Sequence, residues 1–341
     1  MKIIAIESSC DETAAAVVEN GIKILSNVIA TQTEFHEKYG GIVPEIAARR
    51  HSEVINYVIK EALEKAGNAK LQAVAVTHGP GLIGSLIVGL SAAKALAYSL
   101  NLPLIGVNHL EGHIYANFLE GKNPPPKFPF IALLVSGGHT MIILVKGHGK
   151  YKVLGQTRDD AVGEAYDKAA RYIGLGFPGG PVIDQRAQKG DPASIRFPRG
   201  MEDKNGGFDF SYSGLKTAVV NYAKKYGLEK LQSEEETLNN VCASFQSAAV
   251  EILVEKTIRA AQKTKVKTIV LAGGVAANSY LRKYLNLRAE ESGIKTHIPP
   301  IALCTDNAAM IGAAAYFRYK NTAKKAFKDN LGLSASASLT L

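Results

Sequence analysis

Two stretches of this chain repeat one pattern, and the repetition limits the folds open to it. The apolar run Ile3-Ile4-Ala5-Ile6 passes through Glu7-Ser8-Ser9-Cys10-Asp11-Glu12-Thr13 into Ala14-Ala15-Ala16-Val17-Val18. The apolar run Phe130-Ile131-Ala132-Leu133-Leu134-Val135 passes through Ser136-Gly137-Gly138-His139-Thr140 into Met141-Ile142-Ile143-Leu144-Val145. Each reads as a strand, a small polar turn and a second strand. Turns rich in Ser, Gly and Thr offer hydroxyls and backbone N–H groups, and successive N–H groups form a nest for anions. One such segment alone is an ordinary hairpin. Two of them, with a third strand Lys267–Ala272 ending in Gly273-Gly274-Val275-Ala276-Ala277-Asn278, predict two similar halves facing one phosphate-bearing ligand.

The length of 341 residues is that of about two domains. A hydrophobic share of 46% supplies two cores, and a net charge of +9 favours a polyanionic partner, with a basic cytosolic enzyme that binds only nucleotides as the alternative. Cys10, Cys242 and Cys304 are far apart and form no CxxC pair. They read as reduced thiols of a cytoplasmic protein, not a disulfide frame. Cys10 lies in the first turn, where a small tolerated residue is a simpler account than a nucleophile. Met1-Lys2 leads straight into a strand, which leaves no room for a signal peptide. The longest apolar stretch, Leu82 to Leu100, is interrupted by Lys94 and many small residues. It reads as a buried helix, so no membrane association is expected.

Between the hairpins, Pro44 opens a helix to Gly67 with an apolar stripe of Val54, Ile55, Val58, Ile59, Ala62 and Leu63. Ala73–Val76 and Leu104–Val107 are short buried strands, each followed by a helix. Pro124-Pro125-Pro126-Lys127-Phe128-Pro129 reads as a linker. The expected first domain is 1–127, completed by the C-terminal helix within 308–341, and the second is 128–307. In the second, helices are expected near Ala161–Ile173, Ser213–Lys225 and Glu234–Lys265, and Pro178-Gly179-Gly180-Pro181 reads as a turn. Strands alternating with helices predict α/β sheets covered on both faces. Ligands of such sheets bind at the carboxyl ends of the strands, so the three Gly- or Ser-rich ends would meet at a central cleft.

His109-Leu110-Glu111-Gly112-His113 places imidazoles at i and i+4, on one face of a helix and able to grip one ion. The spacing is a weak signal alone, but it begins where a strand ends. Asp306, in Cys304-Thr305-Asp306-Asn307, is the candidate third ligand, with a helix N-cap as the competing role. Two His and a carboxylate suit Fe(II) or Zn. Zinc peptidases carry Glu directly beside a ligand histidine. Glu111 sits about 200° around the helix from His109, so the peptidase base is missing from its place. Asp160, Glu164 and Asp167 share a helical face, read as a solvated acidic face or as a ribose site. Asn278 reads either as an adenosine contact or as a helix cap.

Together these residues resemble the bacterial tRNA adenosine threonylcarbamoyltransferase family, long labelled an O-sialoglycoprotein endopeptidase. That family belongs to the fold class of actin-like ATPases, sugar kinases and Hsp70. The matching segments are Ile6–Thr13, Tyr39–Glu45, Gly79–Leu82, His109–His113, Leu134–Thr140, Phe210–Thr217, Ala272–Asn278 and Cys304–Asn307. They run through nearly the whole chain in the family's order. The resemblance implies two actin-like α/β domains. It implies His109, His113 and Asp306 as ligands of one divalent ion, with iron usually named and zinc or magnesium as alternatives. It places the adenylate donor at Leu134, Val135, Ser136, Gly137, Gly138, Asp167, Gly180 and Asn278, with Asp184 added.

The implied reaction carries a threonylcarbamoyl group from its adenylate to the exocyclic amine of the adenosine beside the tRNA anticodon, with release of AMP. The implied partners are tRNA, a paralogous inactive actin-like subunit and a small ATPase. Asp11 or Glu12 is a candidate to orient or deprotonate the amine. Arg49, Arg50 and the Lys324-Lys325 pair are candidate phosphate contacts. The tail Leu331–Leu341 lacks the Pro-Arg pair common near the family's C-terminus. A sugar kinase of the same fold class would explain the hairpins but not the histidines. A metalloendopeptidase would explain the histidines but not Glu111. A nucleotide-binding assembly scaffold is the non-enzyme alternative.

Overall fold

The computed structural model describes residues 1–67, 69–121, 124–201, 207–322, 327 and 330–341. Among these residues the strands are β1 Lys2–Glu7, β2 Glu12–Glu19, β3 Lys23–Thr31, β4 Ala73–Gly79, β5 Leu104–Asn108, β6 Phe130–Val135, β7 Thr140–Gly147, β8 Lys150–Gln156, β9 Thr268–Ala272 and β10 Lys295–His297. The helices are α1 Thr33–Glu37, α2 Pro44–Lys65, α3 Ile83–Ser99, α4 His109–Tyr115, α5 Val162–Tyr172, α6 Gly179–Ala187, α7 Ser213–Tyr226, α8 Leu228–Ser233, α9 Glu235–Thr264, α10 Ser279–Glu291 and α11 Ala308–Asn321.

The strands form two mixed five-stranded sheets, ordered β3-β2-β1-β4-β5 and β8-β7-β6-β9-β10. The two orders are the same pattern used twice. In each, the opening hairpin is antiparallel, as in Ile4 opposite Val17 and Leu133 opposite Ile142. The first strand of each hairpin then pairs in parallel with a strand reached through a helical crossover, Ile4 beside Val74 and Leu133 beside Leu271. A strand flanked on both sides and covered on both faces has no polar side to show. That is why β1 and β6 are continuous apolar runs, with Ile3–Ile6 and Phe130–Val135 fully buried.

The chain divides into two compact units, Met1–Pro126 with Ala302–Leu341, and Lys127–Ile301. In the first unit α2 buries Ala47, His51, Ile55, Val58 and Ala62. α11 buries every residue from Ala308 to Ala315, and its small side chains let its axis come close to the sheet. A Cβ at Gly312 would lie 2.8 Å from Val18 Cγ2, so that approach requires glycine.

Three local expectations are corrected. Each hairpin acquires a third strand, β3 and β8, that the apolar pattern did not mark. Both are half-exposed, with polar residues among the apolar ones. Pro178-Gly179-Gly180-Pro181 is the start of α6 rather than a turn alone. Pro181 stands in the first helical turn, where an N–H has no intrahelical partner and its loss costs nothing. Asp160 precedes α5, whose N-cap is Ala161, so it does not share a helical face with Glu164 and Asp167. Its carboxylate instead binds Lys168 at 2.8 Å and Lys216 at 2.6 Å.

Candidate functional site

In the first unit, β5 ends at Asn108, and the Asn108 side chain starts α4. Its Oδ1 accepts from the N–H of Leu110 at 2.9 Å and of Glu111 at 3.4 Å. The cap fixes a seven-residue helix whose histidines stand one turn apart, with ring centroids 4.6 Å apart and planes at 77°. Asp306 approaches from the segment before α11. That helix is capped by Asn307, whose Oδ1 accepts from Met310 N at 3.0 Å. The capping role considered for Asp306 therefore falls to its neighbour. Asp306 Oδ1 lies 3.6 Å from His109 Nε2 and 3.2 Å from His113 Nε2.

The donor atoms of His109, His113 and Asp306 all lie within 4.8 Å of one another. Both ring nitrogens of His113 are buried and make no hydrogen bond among the described residues, and its 3.2 Å approach to Asp306 is an ion-pair distance without hydrogen-bond geometry. Buried polar atoms left unbonded are costly unless something else satisfies them. A divalent cation fits this donor set of two imidazoles and one carboxylate.

The first turn packs behind this cluster. Glu7 is fully buried. Its Oε1 accepts from Ser9 N at 2.6 Å, and its Oε2 accepts from Thr77 Oγ1 at 2.6 Å and lies 3.0 Å from His109 Nδ1. Ser9 Oγ is also 3.0 Å from His109 Nδ1. His51 ties the turn to α2, with Nδ1 2.7 Å from Thr13 Oγ1 and Nε2 2.9 Å from the Cys10 carbonyl. Burial lowers the His51 pKa and favours the neutral ring. Burial opposes charge on Asp306, but His109 and His113 outweigh it and hold the carboxyl down to about 2. Burial likewise opposes protonation of His109, but Asp306 and Glu7 raise it to about 9. Glu12 moves the other way, because burial and then the charges of Asp306 and Asp11 push its carboxyl well above the usual range. Asp11 is buried beside it.

The corresponding turn of the second unit faces outward. Gly137 and Gly138 are exposed, and a Cβ at either would meet no described atom within 4 Å. Neither glycine has a positive φ, so nothing in this backbone strains against a side chain there. Leu134 and Val135 are fully buried in β6, so their side chains are unavailable to a ligand. The turn is held from behind by α5: Gly163 N donates to the Ser136 carbonyl at 3.2 Å, and Val162 N to Thr140 Oγ1 at 2.9 Å. Asp167 Oδ1 accepts from Gly179 N at 2.8 Å and fastens the start of α6. A Cβ at Gly180 would meet no described atom within 4 Å. Asp184 accepts from Ser279 N at 3.0 Å and Ser279 Oγ at 2.8 Å. Asn278 caps α10 through Leu281 N at 2.8 Å and donates from Nδ2 to Gln246 Oε1 at 2.7 Å. The cap, one of its two readings, is present.

A family model described as TsaD, tRNA N6-adenosine threonylcarbamoyltransferase, matches residues 23–313. The chain belongs to this family. Proteins named tRNA N6-adenosine threonylcarbamoyltransferase from Symbiobacterium thermophilum and Clostridium botulinum strain Hall are 55% and 54% identical to it. The first match covers 93% of this chain and 92% of the relative, and the second 94% and 93%. The same-named protein of Clostridioides difficile is 52% identical over 93% of each chain. Among solved structures, HypF of T. kodakarensis aligns over 96% of this chain with a TM-score of 0.60 at 13% identity. The chain spans about half of that protein, 49% of its length. Component A of (R)-2-hydroxyglutaryl-CoA dehydratase from Acidaminococcus fermentans aligns over 94% of this chain and 98% of its own, with a TM-score of 0.52 at 16% identity. At such identities the likeness is one of fold, the actin-like class.

For this threonylcarbamoyltransferase-family chain, sequence reasoning missed the support around the candidate residues. Glu7 lies within the Ile6–Thr13 segment but has no role assigned there, Thr77 and Asn108 are not singled out by the sequence, and only the tertiary structure shows what they hold. A charged residue closing an otherwise apolar strand was the available signal for Glu7. Arg49 and Arg50 both pair with Glu53, at 3.3 and 2.8 Å, and the Arg50 guanidinium stacks 3.6 Å from the Phe35 ring. Their charge is thus partly answered within α2. Lys324 and Lys325 lie outside the described residues. Among the described residues no helix is long and apolar enough to cross a membrane.

Proposed function

We infer that this chain transfers a threonylcarbamoyl group from threonylcarbamoyl-adenylate to the exocyclic amine of the adenosine next to the anticodon in tRNA. The observation that carries the reading is the family match over residues 23–313, joined to relatives of that name at 52–55% identity over nearly the whole chain. A sugar kinase or an endopeptidase has no such support.

In the reaction the amine nitrogen forms a bond to the carbamoyl carbon. The bond from that carbon to the adenylate phosphate oxygen breaks, AMP leaves, and the amine gives up a proton. The donor is already activated, so no covalent nucleophile is required of the protein. In the Ser136-Gly137-Gly138 turn, the backbone N–H groups of the exposed Gly137 and Gly138 are proposed to receive the donor's phosphate. Asp167, Gly180, Asp184 and Asn278 are proposed to line the nucleoside end. Leu134 and Val135 contribute backbone position only, because their side chains are buried. Asp11 or Glu12 is proposed to orient or deprotonate the amine.

His109, His113 and Asp306 are proposed to hold a divalent ion, Fe(II) being the first choice with Zn or Mg as alternatives. When bound, such an ion supplies positive charge that stabilises anionic oxygen. The net charge of +9 fits a tRNA partner. A paralogous actin-like subunit and a small ATPase, and work in the cytoplasm, belong to the same reading.

Reconstitution with tRNA, threonylcarbamoyl-adenylate and the two partner subunits, followed by nucleoside mass analysis, tests it. The expected product is threonylcarbamoyl-modified adenosine with one AMP released per transfer. No modified nucleoside under those conditions, with ATP-dependent phosphorylation of a sugar instead, would replace this reading with the kinase.

A further inference from the structure

The first turn contributes a buried carboxylate to which the sequence motifs assign no role. Glu7 closes β1, is fully buried, and spends both oxygens on groups from three other places in the unit. Ser9 N–H reaches Oε1 at 2.6 Å, and Thr77 Oγ1–H from β4 reaches Oε2 at 2.6 Å. The remaining neighbour, 3.0 Å from Oε2, is Nδ1 of His109. An ionised carboxylate can only accept, so a hydrogen bond across that gap requires the proton to be on Nδ1. In the neutral ring the opposite nitrogen, Nε2, is then the one with a lone pair. It is the nitrogen facing Asp306, at 3.6 Å, and the ring of His113.

We propose that Glu7 is a positioning residue that sets the rotation of His109 and holds a proton on Nδ1, so that Nε2, toward His113 and Asp306, is the nitrogen left bare when the ring is neutral or holds an ion. Glu7 stands behind the ring and is not itself a ligand, because it meets the nitrogen on the far side from the cluster. Ser9 Oγ, also 3.0 Å from Nδ1, shares the same proton as a second acceptor. Thr77 fixes the carboxylate in turn, so the orientation of one imidazole is set by β1, the β1–β2 turn and the end of β4 together. A histidine ligand whose second nitrogen is held by a carboxylate is oriented before any ion arrives, which lowers the cost of binding one. The consequence for an ion rests on the proposed metal reading of the cluster, whereas the tautomer does not.

The test uses the full chain with Zn(II) as the probe. Metal-free wild type, Glu7→Gln and Glu7→Ala are titrated with Zn(II), and 15N spectra of the histidine rings are recorded with and without it. Thermal melting establishes that each variant is folded, and Glu7→Gln keeps the volume should Glu7→Ala fail to fold. The expected result is one Zn(II) bound by wild type, affinity about tenfold weaker in Glu7→Gln and about a hundredfold weaker in Glu7→Ala. In Zn(II)-loaded wild type His109 shows a protonated Nδ1. Unchanged affinity in folded Glu7→Gln, with wild-type ring spectra, overturns the role of Glu7. If wild type binds no Zn(II), the metal reading fails instead. The spectra of the metal-free protein at alkaline pH then decide the tautomer: Nδ1–H supports the role of Glu7, and a bare Nδ1 removes it.

Discussion

The turns Glu7–Glu12 and Ser136–Thr140 occupy the same place in sheets of the same strand order, yet they are built in opposite ways. The first is closed. Glu7, Ser8, Ser9, Asp11 and Thr13 are buried, and Glu7, Ser8, Ser9 and Thr13 bond to β4, α2, α3 and α4. The second is open, with two exposed glycines at which a Cβ would meet no described atom within 4 Å. A shared topology therefore fixes where a turn sits and not what it does. Side chains that bond inward turn one hairpin into support for a histidine cluster. The other hairpin closes on itself, with Ser136 N donating to the His139 carbonyl at 2.8 Å and His139 N to Ser136 Oγ at 3.1 Å, and Gly137 and Gly138 stand exposed between them.

The comparison can be broken most sharply at the cluster. His109→Ala and His113→Ala are each expected to abolish the bound divalent ion, while Glu111→Ala retains it, as read by elemental analysis of purified protein. Full metal content in both histidine variants would show that the closed turn supports something else.

The next effect separates the two turns directly. Gly137→Val is expected to reduce transfer by about a hundredfold or more while leaving the melting temperature and metal content unchanged. An added Cβ meets no described atom within 4 Å and the glycine has no positive φ, so the fold tolerates the substitution and the loss reports on the donor. Gly81→Ala, beside the closed turn, is the counterpart. Its Cβ would sit 2.5 Å from the Ser9 carbonyl oxygen, so it should cost about 1–3 kcal/mol of stability through overpacking. Equal melting temperatures for Gly81→Ala and wild type would contradict the description of the first turn as closed.

A smaller effect concerns how the open turn is braced from the start of α5. Burial works against the Asp160 charge, but Lys168 and Lys216 outweigh it and hold the carboxyl below its ordinary 3.8. A depressed carboxylate pKa stabilises the fold above the unfolded value and stops doing so as pH falls through the folded one. Asp160→Asn should therefore cost about 1 kcal/mol at pH 7, since the partners are part-exposed, and the difference should shrink below pH 3.8. A pH-independent difference in denaturant melts would show that the ion pairs contribute nothing. The smallest expected effect is at Cys10. It is half-buried, and burial with the charges of Asp11, Asp306 and Glu12 pushes its thiol well up, so no thiolate forms near neutral pH. Cys10→Ser should leave transfer within about twofold of wild type. A large loss in a folded protein would restore the thiol as a participant.

The sequence by itself determined the elements whose signal is local. Buried central strands read as apolar runs, α2 as a stripe at helical spacing, and the histidines as neighbours because i and i+4 share a face whatever surrounds them. The motifs from Ile6 to Asn307 also identified the family, which needs order along the chain and no coordinates. Features set by distant partners were not legible. β3 and β8 exist because a hairpin edge remained to be paired, and their own residues alternate too weakly to announce it. Asp306 is available to the histidines because Asn307 took the cap, a choice between adjacent residues that both suit capping. Asn278 went the other way, its amide divided between α10 and Gln246. Glu7 reaches His109 across 102 residues of chain. A buried polar group must find its partner in space, and which residue that is depends on how the sheet and helices close around it, so only the tertiary structure could name it.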